Sequence, residues 1–489
     1  MSEKLLLNDY IFGDADAETE FRNKKEIFEK AFYDPKNIVD KLINGYQFML
    51  IGRKGVGKTA FSAKIRSIAD KDNSIQCNMM DLSQFEFGVF NKLRLPDLDG
   101  THKYKNSWKL ILLIYIYKMF SNDYTFLEVE SFYERAEFLE ASEILKSKNI
   151  NSIIRKLSKK SFNFDIKFFK YTSESEYEDG KLSYSEVYDY LLEGLEGIYT
   201  ENKFLLIIDG LDDMLRFKKE RLLMISGLIR GINELNRDLS DINATVKIIF
   251  LAREDILASV TDPDLNKIRR DAGITLNWNS KDDDLKNMVN LRFKLSGISE
   301  ENLEKHWNLI FPPKIKGKDS WDYVTEFTLS KPRDILQFLS QCQRNYPTKS
   351  YLKYSELDRV LIDYSTEYFI EEMKNELVGF IDDDVIHLIP QVLQTIGGSD
   401  FRYIDFKKNM ERVYGNQNDI YYKRILLTLF ENGYVGQVTE MKYWDKEIKK
   451  NVTRNQVLFK HKKPTVRINY DCKFSIHKGL YKALNIIKK

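Results

Sequence analysis

The chain has 489 residues and a mass of 57.8 kDa, and at roughly 150 residues per domain it divides into about three domains. Hydrophobic residues at 43% and charged residues at 31% fit a globular protein and exclude a disordered or collagen-like one. The net charge of +2 hides an asymmetry: Met441–Lys489 holds 12 lysines and 2 arginines against only Asp445, Glu447 and Asp471, so a basic end follows an acidic body and predicts a polyanion contact confined to that end.

The longest apolar run, Leu110–Tyr117, is far short of the ~18 residues of a spanning helix, so no membrane partner is expected. The N-terminus carries only three consecutive leucines before polar residues return, unlike a secretory signal. Cys77, Cys342 and Cys472 are odd in number and far apart, which excludes a disulfide framework and predicts a reducing cytoplasmic setting. His102, His306, His387, His461 and His477 show no zinc-ligand spacing.

An N-terminal helical segment is expected over residues 1–45. Tyr46–Ile51 (YQFMLI) then has the length and apolarity of a strand. Gly52-Arg53-Lys54-Gly55-Val56-Gly57-Lys58-Thr59 follows, and Ala60 opens a helical stretch. This is GxxxxGK[ST] in its strand–loop–helix context. Glycines let the backbone curl so that its N–H groups face phosphates, and the helix N-terminus adds a favourable dipole. Lys58 would reach the β- and γ-phosphates of ATP, and Thr59 would offer its hydroxyl to Mg2+.

Ser74–Asp81 is a candidate second strand. Lys58 and Asp209 are 151 positions apart, so an insertion is expected over about residues 97–196. Within it, Trp108–Phe120 reads as a buried helix, and a basic stretch from Lys146 to Lys170 precedes the acidic Glu174, Glu176, Glu178 and Asp179. Phe204–Ile208 is a strand buried on both faces, with Asp209 at its carboxyl end, where open α/β sheets bind ligands. Asp209 is the candidate Mg2+ partner. Asp212 and Asp213 follow, where a carboxylate would polarise the attacking water, or cap a helix.

The run Asp209-Gly210-Leu211-Asp212-Asp213 resembles the Walker B segment of NACHT and related STAND ATPases. In AAA+ enzymes a glutamate follows the metal aspartate; here that position is Gly210, and the resemblance therefore implies a slow switch rather than a motor. A GTPase base reader is missing, since Asn266-Lys267-Ile268-Arg269 lacks the aspartate. Leu295-Ser296-Gly297-Ile298-Ser299 is an incomplete ABC signature in the wrong place. Thr245–Leu251 is a further strand, and the resemblance puts Arg253 at the sensor-1 position beside the γ-phosphate; an ion pair with Glu254 or Asp255 is the competing role. Ile274–Trp278 reads as the last strand of a core spanning residues 46–280. Arg269 and Arg270, just before it, are candidates for an arginine finger acting on a neighbouring copy in an oligomer.

A helical lid and linker are expected over residues 281–382. Lys331-Pro332-Arg333-Asp334 opens a helix with proline in its first turn and looks like the sensor-2 position of AAA+ proteins, with Arg333 as the phosphate contact. Ser355–Leu377 reads as one long helix. From residue 383 onward, helices at Val385–Thr395, Tyr403–Val413 and Asp419–Asn432 precede strands at Tyr434–Val438, Gln456–Phe459 and near Thr465–Ile468, a winged-helix pattern. The third helix would offer Lys423 and Arg424 to a major groove, and a wing over Thr439–Asn455 would offer Lys442, Lys446, Lys449, Lys450 and Arg454 to phosphates.

The whole order resembles origin-recognition-type AAA+ ATPases and bacterial STAND relatives. The expected fold class is thus α/β: a P-loop NTPase core of the ASCE type with a parallel sheet, a helical lid and a C-terminal winged helix. Two functions follow from the resemblance. One is an ATP- and Mg2+-dependent switch that binds nucleic acid, duplex DNA foremost, and assembles with its own copies. The other is a scaffold ATPase of a bacterial antiviral defence or signalling system whose winged helix binds a separate protein effector.

Overall fold

The structure is a computed structural model, and it describes residues 5–93, 102–123, 129–158, 184–210, 219–260, 262–278, 283–445 and 450–486. The chain divides into two units. One comprises Lys36–Arg53 and Phe61–Leu276; the other comprises Met1–Pro35, Lys54–Ala60 and Asn277–Lys489.

The first unit is built on a five-stranded parallel sheet: β1 (Met49–Gly52), β2 (Ile75–Asp81), β3 (Lys203–Asp209), β4 (Val246–Arg253) and β5 (Gly273–Thr275), in the order β2-β3-β4-β1-β5. The central strands are continuous apolar runs because helices cover both faces of a parallel sheet. Phe204–Ile208 of β3 are all buried, as are Met49–Ile51 of β1. The strand after the phosphate-loop motif is the sheet's edge, and β4 separates β1 from the aspartate-bearing β3. This is the strand order of an ASCE P-loop NTPase.

The long interval between β2 and β3 holds helices His102–Phe120, Glu130–Ala141, Ile150–Leu157 and Tyr184–Glu193. The first is buried nearly all round and packs on the helix Lys219–Asp241. Trp108 Nε1 donates to the Met224 carbonyl at 3.0 Å, and Lys105 and Lys109 pair with Glu234 and Asp238 at 2.8 Å. Much of the basic and acidic stretches read in this insertion, residues 159–183, lies outside the described residues.

In the second unit, one apolar core joins the N-terminal segment (Leu7, Tyr10, Phe12) to the lid helices and the C-terminal elements. Arg292 clamps Glu20 with two bonds of 2.6 and 2.7 Å, both side chains being buried. A small hairpin, β6 (Lys314–Ile315) with β7 (Lys318–Asp319), precedes the helix Pro332–Asn345. The linker helix is not a single regular helix over Ser355–Leu377. It runs as Tyr354–Asp363, a π-helical turn Tyr364–Phe369, and Ile370–Leu377. At that wider turn Ser365 Oγ donates to the Gly479 carbonyl and accepts from the Ala483 amide at 3.0 Å, pinning the C-terminal segment.

The C-terminal part has helices Asp383–Thr395, Tyr403–Tyr414 and Asp419–Glu431 and an antiparallel sheet of β8 (Asp400–Arg402), β9 (Val435–Asp445), β10 (Lys450–Leu458) and β11 (Lys473–Ile476). Its order is β10-β9-β11-β8. Two sequence expectations are corrected here. The third strand is Lys473–Ile476, not a segment near Thr465–Ile468, because Phe474 and Ile476 are buried whereas residues 465–468 are exposed or half-buried and unpaired in any strand. The expected wing loop over Thr439–Asn455 is instead mostly regular ribbon, since β9 runs on to Asp445 and β10 starts at Lys450.

Candidate nucleotide site and basic ribbon

The phosphate loop leaves β1 at Gly52, and its helix, Lys58–Ala69, begins at the motif lysine. Gly55 and Gly57 have φ of +78° and +101°, which only glycine adopts without strain. Arg53, Lys54, Lys58, Thr59 and Ala60 are half-buried and Val56 is buried. Trp278 Nε1 donates to the Val56 carbonyl at 2.9 Å, so an indole holds the crown of the loop. Thr59 sits in the first helical turn.

The lid residues of the same unit meet this loop. A Cβ on Gly55 would stand 3.4 Å from Lys331 Cδ and 3.5 Å from Arg333 Cβ. Arg333 Nη1 lies 3.6 Å from Glu372 Oε1. Lys331 is fully buried in an ion pair with Glu376. Burial, reinforced by Glu376, raises the Glu372 carboxyl above its ordinary value, while Lys54, Lys331 and Arg333 pull it back. Burial likewise raises Asp334, whose carboxylate accepts from the Leu329 amide at 2.7 Å and from Tyr368 Oη at 2.8 Å. Glu372, Glu376 and Lys331 were invisible as a group in sequence; the helical spacing of Glu372 and Glu376, four apart on one face, was the available signal.

In the other unit, two strand ends and the helix Pro263–Ala272 carry the remaining candidates. Asp209 closes β3; its Oδ1 accepts the Gly210 amide at 2.8 Å and its carbonyl accepts the Leu82 amide at 2.8 Å. Arg253 closes β4 in register with Gly52, and is buried with its guanidinium on the Asp255 carboxylate, Nε–Oδ1 3.0 Å. Arg269 pairs with Glu254 at 3.1 Å and Arg270 with Asp271 at 2.9 Å. Asp212 and Asp213 lie outside the described residues. Asp81, at the end of β2 beside Asp209, was read only as the end of a strand. The Thr59 hydroxyl in one unit and the Asp209 carboxylate in the other are each, taken singly, hard oxygen donors of the kind that suits Mg2+. Among the described residues no group of three or more His, Cys, Asp or Glu is placed to hold a metal by itself.

At the basic end, Lys423 on the third helix is engaged locally. Its Nζ lies 2.8 Å from Asp419 Oδ2 and 5.5 Å from the Tyr403 and Tyr470 ring centres. Bonds from Lys423, Tyr403 and Lys407 hold the Asp419 carboxyl far below its usual range. Arg424 is exposed. Lys450 and Arg454 stand exposed on β10, while Lys442 lies in β9 opposite Thr453; Lys446 and Lys449 fall outside the described residues. Trp444 and Met441, 58% and 48% exposed, share the ribbon and had no sequence signal beyond their position.

Residues 283–371 match a family model described as the FunZ-associated C-terminal helical domain. A curated relative, the transposon gamma-delta 80.3 kDa protein of Escherichia coli (strain K12), is 23% identical over 343 residues. That alignment takes in 68% of this chain, and the chain spans 46% of the relative's length. Solved structures similar to this chain include Cdc6p of Pyrobaculum aerophilum, at 12% identity and a TM-score of 0.29, covering 97% of each chain. Aeropyrum pernix ORC1 in complex with DNA has 11% identity and a TM-score of 0.35, over 96% of this chain and 91% of that one. Aeropyrum pernix ORC2 with ADPNP and ADP has 12% identity and a TM-score of 0.38, over 95% and 93%. Among the described residues no helix is long and apolar enough to cross a membrane.

Proposed function

We propose that the chain is a Mg2+-dependent, slowly hydrolysing switch ATPase that couples nucleotide state to nucleic-acid binding at its basic end, working as an oligomer. The observation that carries the nucleotide half is the GRKGVGKT loop leaving the carboxyl end of β1 in a β2-β3-β4-β1-β5 sheet, with Asp209 ending β3 two strands away. Lys58 and the loop amides bind the phosphates, Thr59 and Asp209 hold the ion, and Arg333 answers to nucleotide from the lid. Mg2+ would draw charge from the β- and γ-phosphate oxygens.

The ribbon supports the nucleic-acid half. Along β10 nearly every residue from 450 to 457 is exposed, Lys450 and Arg454 among them, and the sequence adds Lys442, Lys446 and Lys449 to the same stretch. The relative named for a transposon, a DNA element, agrees with this. A protein effector is the second reading, and one observation favours it: Ile404 and Ile420, 63% and 77% exposed, open the second and third helices, and Lys423 is spent on Asp419. Titration of the whole chain with labelled duplex at several salt concentrations decides between them. Affinity that falls steeply with salt supports the nucleic-acid reading; no binding at low salt rejects it and leaves the effector.

A further inference from the structure

Two cations of the lid lie against the phosphate loop, and they are held in different ways. A Cβ on Gly55 would stand 3.4 Å from Lys331 Cδ, 3.5 Å from Arg333 Cβ and 3.6 Å from Arg333 Cδ, so both stems pass beside the crown of the loop. Lys331 is committed: its side chain and that of Glu376 are 3% and 2% exposed and form a close ion pair. Arg333 is held loosely. Its side chain is 31% exposed, and its Nη1 stands 3.6 Å from Glu372 Oε1, beyond hydrogen-bond range. The loop residues Lys54–Ala60, Arg333 and Glu372 belong to one unit, so these distances are internal to it.

Glu372 is the unsatisfied member of this group. It is 8% exposed, and its Oε1 is buried and accepts no hydrogen bond among the described residues. A buried charged oxygen without a donor is costly, and an arginine at ion-pair distance relieves only part of that cost. Burial first, and then Glu376, disfavour its charge, whereas Lys54 of the loop, Lys331 and Arg333 favour it. Glu372 stands on the helix Ile370–Leu377, directly after the π-helical turn that Ser365 ties to the C-terminal segment. The carboxylate that faces the lid arginine thus belongs to the element leading into the C-terminal part.

We propose that Glu372 is a built-in competitor of the nucleotide: it holds Arg333 by charge in the nucleotide-free protein, and the arginine passes to phosphate oxygens when nucleotide binds. The inference rests on the nucleotide reading above. The planar fork of arginine takes two oxygens of a phosphate at once, which the single 3.6 Å approach to Glu372 does not offer. Phosphate therefore wins the exchange, and Glu372 sets how much affinity the exchange costs. Lys331 stays with Glu376 throughout, because breaking so buried a pair leaves an uncompensated charge. When the arginine leaves, Lys54 and Lys331 are the cations that still act on the Glu372 carboxylate. Glu372 works through Arg333 and is a positioning residue, not a catalytic one.

The test uses the whole chain, a fluorescent ATP analogue with excess Mg2+, and two variants: Glu372→Gln, and Glu372→Gln combined with Arg333→Met. Neither strands a buried charge, since Arg333 is partly exposed and the double change removes both partners. Affinity and melting temperature are read for all three proteins. Glu372→Gln is expected to bind the analogue at least about fivefold more tightly than wild type, the lower end of ordinary coupling between sites. The double variant is expected to lose that gain and bind no tighter than wild type. Unchanged or weaker binding by Glu372→Gln overturns the proposal, and a shift in melting temperature with no shift in affinity assigns Glu372 to the fold alone. A double variant that keeps the gain also overturns it, because Glu372 would then repel the phosphates without acting through Arg333. Absence of binding by all three proteins overturns the nucleotide reading itself, and the competitor with it.

Discussion

The two basic regions of the second unit are built on opposite principles. In the lid, Lys331 and Arg333 sit against the phosphate loop, and each faces a carboxylate of the linker helix. Lys331 is 2% exposed, so its charge is tolerable only because Glu376 shares its cavity. On the ribbon, Lys450 and Arg454 are exposed on β10. A charge in the lid acts at short range on one neighbour and is part of the fold. A charge exposed on the ribbon stays in contact with water and acts on a polyanion that approaches, with a strength that salt controls.

The comparison breaks most visibly at Lys331. Replacing it with methionine leaves Glu376 charged and buried, and is expected to cost about 3–5 kcal/mol of stability. The double change Lys331→Met with Glu376→Leu should recover most of that loss. Thermal or urea unfolding of both variants checks it; a mild effect of the single change would mean that the lid lysine is as dispensable as a ribbon one. Lys58→Ala comes next. A charge-assisted hydrogen bond to phosphate contributes about 1.5–3 kcal/mol, so ATP affinity should fall roughly 10- to 100-fold with the melting temperature unchanged. Calorimetric titration measures it, and unaltered affinity in a folded variant rejects the phosphate role.

On the ribbon, Lys450→Ala with Arg454→Ala should leave the melting temperature unchanged. It should flatten the log–log salt dependence of duplex binding by ~1.8, at ~0.9 per phosphate contact. A change in sequence preference instead would assign these residues to base edges. The smallest effect concerns Glu372. Its carboxyl is raised by burial first, so the ionised form burdens the fold. Its contribution is intact below the ordinary glutamate value and declines as pH rises through that value to the raised one, because the folded state there binds more protons than the unfolded state. Glu372→Gln removes the decline. Melting curves from acid to neutral pH should show the variant gaining on wild type as pH rises, and parallel curves would mean that Arg333 and Lys54 already compensate the charge.

Local pattern was enough for much of the molecule. The GRKGVGKT loop, the apolar runs of β1, β3 and β4, and the three C-terminal helices were all legible, because strand burial and helical periodicity are written in nearest-neighbour residue types. The acid at the end of β3 and the arginine at the end of β4 were legible for the same reason: each follows directly on its strand. The strand Lys473–Ile476 was misplaced because its apolar alternation is only four residues long, and its burial depends on β9 and β8 flanking it.

What tertiary structure alone decided are the pairings across long separations. The sequence contains Asp81 and Gly210, but 129 positions divide them, and only the β2–β3 register shows that one fills the space the other leaves empty. The sequence contains Lys331 and Glu376, but only packing removes water from both and makes their charges interdependent. Composition and periodicity report what each residue prefers; which carboxylate meets which backbone or cation is settled by strand register and by the shape of a shared core, and neither is a local property.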